Sequence, residues 1–180
     1  MDLGGRAEDW RIVSLRWIKH EKGEVEKPVY IDLQLLRYSG ELQIREGEGR
    51  REIFDVSRRR WVVVTPEELV RQLLVKHLIQ GLGYPSGRIA VEKGLVLHGR
   101  KFRFDMLAWG PDMTPLLLAE CKAPAVALSE AVVWQVTRYN LSVRAPYSLV
   151  TNGQACCCAR LDFDTGKAEW LEGIPPYPDM

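Results

Sequence analysis

The chain has 180 residues, 46% of them hydrophobic and 27% charged, the balance of one ordinary globular domain with a substantial core. Twenty-five Lys and Arg against 24 Asp and Glu leave a formal charge of +1, which excludes a binder of nucleic acid or membrane that works by bulk charge and leaves such affinity to local patches. No run approaches the roughly 18 to 20 apolar residues that span a bilayer, and residues 1–10 lack a signal peptide's apolar stretch, so a cytoplasmic protein with no membrane partner is expected.

Two apolar, β-prone runs, at 10–18 and 29–36, flank a charged, Gly-containing stretch and predict an N-terminal hairpin or β extension. Residues 40–60 alternate charge with Ile44, Ile53, Phe54 and Val56 ahead of a short strand at 61–64. The run Arg58, Arg59, Arg60 reads as a solvated turn, with a phosphate-contacting patch as the alternative. Thr65-Pro66-Glu67-Glu68 starts a helix: Thr65 is the N-cap, Pro66 takes the first helical position, and Glu68 completes a capping box. Leu69, Val70, Leu73, Leu74, Leu78 and Leu82 carry that helix to about Gly81.

Short β-like runs at 89–97, 101–109 and 115–122 then predict a meander. Ser129 caps a second helix ending near Val143. A strand at 147–151 turns at Asn152-Gly153 into another at 155–163, and Asp164-Thr165-Gly166 leads into a last one at 168–171. The Pro-rich tail at 174–180 is irregular. Cys156, Cys157 and Cys158 lack C-x-x-C spacing and, with Cys121, read as reduced thiols.

The run at 115–122 is apolar on both faces, as in a central strand, until it meets Glu120 and Lys122. Strand alternation puts those two on one face and points Cys121 the other way. Asp105 lies in the preceding run, and opposing it to Glu120 centres the hairpin turn between Asp112 and Met113, the middle of the loop Gly110-Pro111-Asp112-Met113-Thr114. Facing carboxylates with Cβ atoms about 5 Å apart repel unless a cation lies between them, and a hard ion such as Mg²⁺ suits such oxygens. Lys122 then stands at the rim, able to hold or deprotonate a water and to offset phosphate charge. The alternative is structural: a Glu120–Lys122 salt bridge with Asp105 as a turn neighbour.

Asp105 followed by Glu120-Cys121-Lys122 resembles the D…E-x-K core of the PD-(D/E)XK nuclease superfamily, and Gln135 with Tyr139 fits the Q-x-x-x-Y element of its RecB-like branch, one helical face at i, i+4. Ile53-Phe54-Asp55, Thr65-Pro66-Glu67-Glu68, Arg71-Gln72, Gly83-Tyr84-Pro85, Ala90-Val91-Glu92-Lys93, Glu120-Cys121-Lys122-Ala123-Pro124, Arg138-Tyr139-Asn140 and Thr151-Asn152-Gly153 make residues 50 to 176 similar to the N-terminal nuclease domain of type I restriction enzyme R subunits. The resemblance implies an α/β (α+β) fold, a restriction-endonuclease-like core whose central mixed β-sheet is flanked by helices, with an N-terminal β extension. It divides the chain into a β-rich extension at 1–50, a nuclease-like domain at 51–176 and a tail at 177–180.

In roles, the resemblance implies that Asp105 and Glu120 bind Mg²⁺, with Mn²⁺ as a substitute, and Cys121 is counted with them. Lys122 assists the water, and Gln135 and Tyr139 position the site or the phosphate. Glu68 is a further candidate acid, although the cap also explains it. Arg103, on the strand face of Asp105, and Lys93 are candidate nucleic-acid contacts. The expected activity is metal-dependent endonucleolytic hydrolysis of DNA; the alternative is an inactive nuclease-fold module that binds DNA or regulates a restriction or repair assembly through a partner protein. A double-strand break requires a homodimer or two visits. No G-x-x-x-x-G-K-[ST] loop is present, so no ATP-driven motor is expected in this polypeptide.

Overall fold

A computed structural model describes residues 28–178 apart from 48, 93, 98 and 99. The expected strand at 10–18 and the candidate contact Lys93 lie outside the described residues. The apolar run at 29–36 does not form a strand: it makes a single antiparallel bridge, Ile31 to Cys156, and then winds into a 3-10 helix, Leu35–Glu41. Its turn is set locally, since the Asp32 carboxylate accepts the Gln34 N–H at 2.8 Å and Gln34 adopts φ 50°, which outcompetes ladder pairing. Leu35 and Tyr38 of that turn pack into the same core as the first helix.

Three antiparallel strands follow, β1 (Ile44–Gly47), β2 (Arg50–Asp55) and β3 (Arg60–Val63). Helix α1 (Pro66–Lys76) begins where expected, with Thr65 Oγ1 accepting the Glu68 N–H at 3.0 Å. The capping box is only half made, because the Glu68 carboxylate turns away to arginines. After Lys76 the helix widens into a π turn, His77–Gly81. There Gly81 lies so close to Tyr38 that an added Cβ would meet the phenol oxygen at 2.6 Å.

The main sheet has six strands: β4 (Ile89–Val91), β7 (Met106–Trp109), β8 (Pro115–Cys121), β9 (Tyr147–Thr151), β10 (Cys156–Asp162) and β11 (Lys167–Leu171), in the spatial order β11-β10-β9-β8-β7-β4. All neighbours are antiparallel except β8 with β9, which run parallel and are linked through helix α2 (Glu130–Val143), the connection a parallel pair demands. A separate ribbon, β5 (Gly94–Leu97) with β6 (Arg100–Arg103), is inserted between β4 and β7. This is the expected mixed sheet flanked by helices, with an antiparallel sheet ahead of it.

Leu117, Ala119 and Cys121 of β8 join α1 residues Val70, Leu73 and Leu74 in one core, whereas Leu118 joins Val133 and Val136 of α2 in the other. The cysteine run obeys the same alternation: Cys156 and Cys158 enter the first core and Cys157 the second. All four thiols are free and buried, and burial pushes Cys157 up to about 11 and Cys158 up to about 12, so they stay protonated.

The π turn gives a pH-dependent element. His77 is 7% exposed, with Nδ1 at 3.2 Å from the Arg37 guanidinium and 3.3 Å from the Tyr38 hydroxyl. Burial and the Arg37 charge lower its pKa from 6.5 to about 4. The unfolded chain therefore takes up a proton below pH ~6.5 that the folded chain refuses until about pH 4, and that gap is worth about 3 kcal/mol. Stability is expected to fall as pH drops through this window and to level off below it. His77→Gln should flatten that part of the profile in thermal melts between pH 7 and 4; an unchanged slope would remove His77 from the account.

Candidate functional site

Glu120 and the residue after Cys121 lie at the carboxyl end of β8, where the Lys122 N–H is held by the Thr151 carbonyl at 2.8 Å. The β7–β8 ladder pairs Met106 with Ala119, Leu107 with Leu118 and Ala108 with Leu117. That is the register expected from the loop; the ladder ends there, and Asp105 and Glu120 are the next residue on each side. A bulge at Ala108/Trp109 absorbs the odd residue of the turn.

Asp105 itself is not in a regular strand. The hairpin of β4 with β7 and the ribbon of β5 with β6 keep one common register, from Ile89↔Ala108 to Leu97↔Arg100, yet each long run expected at 89–97 and 101–109 is interrupted midway. The interruption falls at Glu92, whose φ is 46°, and opposite it at Asp105; the Glu92 N–H still reaches the Asp105 carbonyl at 2.8 Å. Two arginines, one buried and one largely enclosed, win over strand regularity here, drawing both carboxylates inward.

Arg58 and Arg71 are those arginines. The Arg58 side chain, 10% exposed, bonds Asp55, Glu68 and Glu92 together. The run does begin in a turn, residues 56–59, but Arg58 folds inward from it, and only Arg59 and Arg60 of the three are exposed. Burial opposes its charge, but the Asp55 and Glu68 carboxylates raise its pKa all the same. Arg71, 3% exposed, bonds Glu68 and lies 3.0 Å from Glu67, 3.3 Å from Asp105 and 3.6 Å from Glu92. Gln72 Nε2 adds a 2.8 Å bond to Glu68. Arg103, 79% exposed, approaches Glu92 at 3.5 Å from the base of the β5–β6 ribbon.

Asp105 Oδ2 accepts the Cys121 N–H at 2.8 Å, which ties β7 to the end of β8. Glu120 Oε1 accepts from Lys122 Nζ at 2.8 Å. Burial raises the Glu120 carboxyl above its ordinary value, Lys122 pulls it back, and the nearby Asp105 charge raises it further. Lys122 shifts up, because Glu120 and Asp105 outweigh its partial burial, so it remains an ammonium. The Cys121 side chain faces the core, where burial raises its thiol, and its main-chain N–H is the part that meets Asp105.

Among the described residues no three His, Cys, Asp or Glu side chains are spaced to hold a metal ion by themselves. Asp105 and Glu120, near enough for one charge to act on the other, are nonetheless the kind of oxygen donors Mg²⁺ takes, since it retains waters and accepts further oxygens from substrate phosphates. Asp55, Glu67, Glu68, Glu92, Asp105 and Glu120 are six carboxylates in contact with four cations, Arg58, Arg71, Arg103 and Lys122. Among the described residues this leaves more carboxylates than cations in the cluster, and their hard oxygens are of the type that suits a divalent ion.

Gln135 and Tyr139 are not brought to this cluster by any described contact. Both are exposed on α2, Tyr139 by 46%, while Val133, Val136, Thr137 and Asn140 take the inward face. The sequence pattern undervalued Arg58, Arg71 and Glu92; the signal available was the i, i+3 and i, i+4 pairing of Arg71 with Glu68 and Glu67 on one helix. The Asn152 side chain makes the expected turn by accepting from the Gln154 and Ala155 N–H groups, and it also donates to the Val126 carbonyl, a bond no local signal discloses, fastening the loop that leaves Lys122.

Among the described residues no helix is long and apolar enough to cross a membrane. No curated protein matches the sequence. A solved fragment described as an HsdR subunit of a type I restriction enzyme from Vibrio vulnificus YJ016 is 17% identical, with a TM-score of 0.46; the match covers 63% of this chain and 24% of that one. The family model described as "Type I restriction enzyme R protein N terminus (HSDR_N)" matches residues 66–175, from the start of α1 to just beyond β11. That span is more than half of the chain, and the protein belongs to this family of type I restriction enzyme R protein N termini.

Proposed function

We propose that the protein hydrolyses phosphodiester bonds of DNA as a metal-dependent endonuclease, with Asp105 and Glu120 as the ligands of Mg²⁺ or Mn²⁺. The observation that carries this reading is the end of the β7–β8 ladder, where Asp105 and Glu120 are the next residue on each side and the Lys122 ammonium bonds Glu120. The bound cation would polarise a phosphoryl oxygen and make a water more acidic. Asp105 keeps its carboxylate aimed through the Cys121 N–H. Lys122, charged and 2.8 Å from Glu120, orients the attacking water and offsets the charge that builds on the phosphate.

Arg103 and Lys93 are the proposed contacts to the DNA backbone, with Arg103 at the ribbon base next to the carboxylates. Gln135 and Tyr139 serve the site only if α2's outer face meets the substrate, since their exposure leaves them available to it. A partner subunit of a restriction or repair assembly, or a second copy of the chain, is proposed for cutting both strands.

The test is cleavage of supercoiled plasmid, linear duplex and single-stranded DNA with Mg²⁺ or Mn²⁺. The parent protein is expected to cut, and Asp105→Ala to lose at least about 100-fold in rate, the scale of removing a transition-state electrostatic contact. Equal cutting by both proteins would sink the site. Metal binding without cleavage of any substrate would instead favour a nuclease-fold module that binds DNA for a partner.

A further inference from the structure

The protein holds several carboxylates together at one end of its sheet, and like charges that close repel. Arg71 stands among them. Its guanidinium is within 3.6 Å of Glu67, Glu92 and Asp105 and bonds Glu68, from a side chain only 3% exposed. Its Nη2 lies 3.3 Å from Asp105 Oδ1, the oxygen not occupied by the Cys121 N–H. The contact is longer than the 2.8 Å bond on Oδ2.

A second feature is the Arg71 Nε, which is buried and has no hydrogen-bond partner. A buried N–H left unpaired is costly. The side chain is therefore held by the pull of surrounding acids rather than by a complete set of directed bonds. An arrangement of that kind answers to charge: it is stable while the acids are uncompensated and weakens once another cation arrives.

We propose that Arg71 is the protein's internal stand-in for the divalent cation, neutralising Asp105 in the metal-free state and releasing Asp105 Oδ1 when the metal binds. The inference rests on the assignment of Asp105 and Glu120 as metal ligands. Arg71 keeps Glu67 and Glu68 as partners throughout. It is a positioning residue that acts through Asp105, and it competes with the metal. Its removal should therefore tighten metal binding, whereas a simple brace for the carboxylates would loosen it on removal.

The experiment is Mn²⁺ titration calorimetry on the full chain, as parent, Glu120→Ala and Arg71→Gln, with circular dichroism to establish folding. The parent is expected to bind, Glu120→Ala to lose binding, and Arg71→Gln to bind at least about threefold more tightly, since one repelling charge is gone. Equal or weaker binding by folded Arg71→Gln overturns the role of Arg71 while leaving the ligands standing; a parent that binds no Mn²⁺ overturns both. If Arg71→Gln does not fold, the parent decides: the ¹⁵N resonance of Arg71 Nε should move on Mg²⁺ titration while that of Arg58, bonded to Asp55, stays in place. No movement of the Arg71 signal at saturating Mg²⁺ overturns the proposal.

Discussion

Arg58→Ala is expected to lower the free energy of unfolding by about 3–5 kcal/mol, the cost of removing one partner from a buried ion pair. The loss is large because Arg58 links three elements: Asp55 at the end of β2, Glu68 in the first turn of α1 and Glu92 beyond β4. Asp55 is fully buried and also accepts the Ser57 and Arg58 N–H groups at 2.7 and 2.9 Å. Without the guanidinium, that carboxylate keeps its main-chain donors but no counter-ion. Arg60→Ala, an exposed control from the same basic run, should change stability by no more than about 0.5 kcal/mol. Urea unfolding of both variants makes the comparison; similar midpoints would show that the network is dispensable.

The second large effect is expected in catalysis. Lys122→Met should lower the rate of DNA cleavage by about 10²- to 10⁴-fold, the range for a lost proton-transfer or charge-offsetting group, while Mn²⁺ binding persists. The separation follows from geometry, because the ammonium is bonded to Glu120 Oε1 and carries no lone pair for a metal when charged. Met retains the apolar stem of a side chain that is 22% exposed, so folding is conserved. Cleavage within threefold of the parent would remove Lys122 from the chemistry, and loss of Mn²⁺ binding together with cleavage would make it a support for Glu120 instead.

Local signals made much of this legible in the sequence. Thr65-Pro66 marked the start of α1, and Asn152-Gly153 marked the turn before β10. The β7–β8 register followed from parity and loop length, since a one-residue slip would exchange the faces of Leu117 and Leu118 between two cores. The hidden part was long-range charge. Arg58 read as surface because basic runs usually are, and nothing near it in sequence discloses Glu68 or Glu92 as partners. The same contacts divided two expected strands and pulled Glu68 out of its capping box. At 29–36, apolar content suggested a strand, but an Asp32-centred turn prevailed.

The placement of the cysteines gives the molecule an intrinsic reporter. Each of the four thiols is shut behind a sheet face, Cys157 on one side and Cys121, Cys156 and Cys158 on the other, and each is kept protonated by its surroundings. A maleimide or disulfide reagent has nothing to react with until strands separate. Its rate of consumption therefore times the opening of β8 and β10, with separate rates for the two layers if one helix lifts before the other, and without any introduced label.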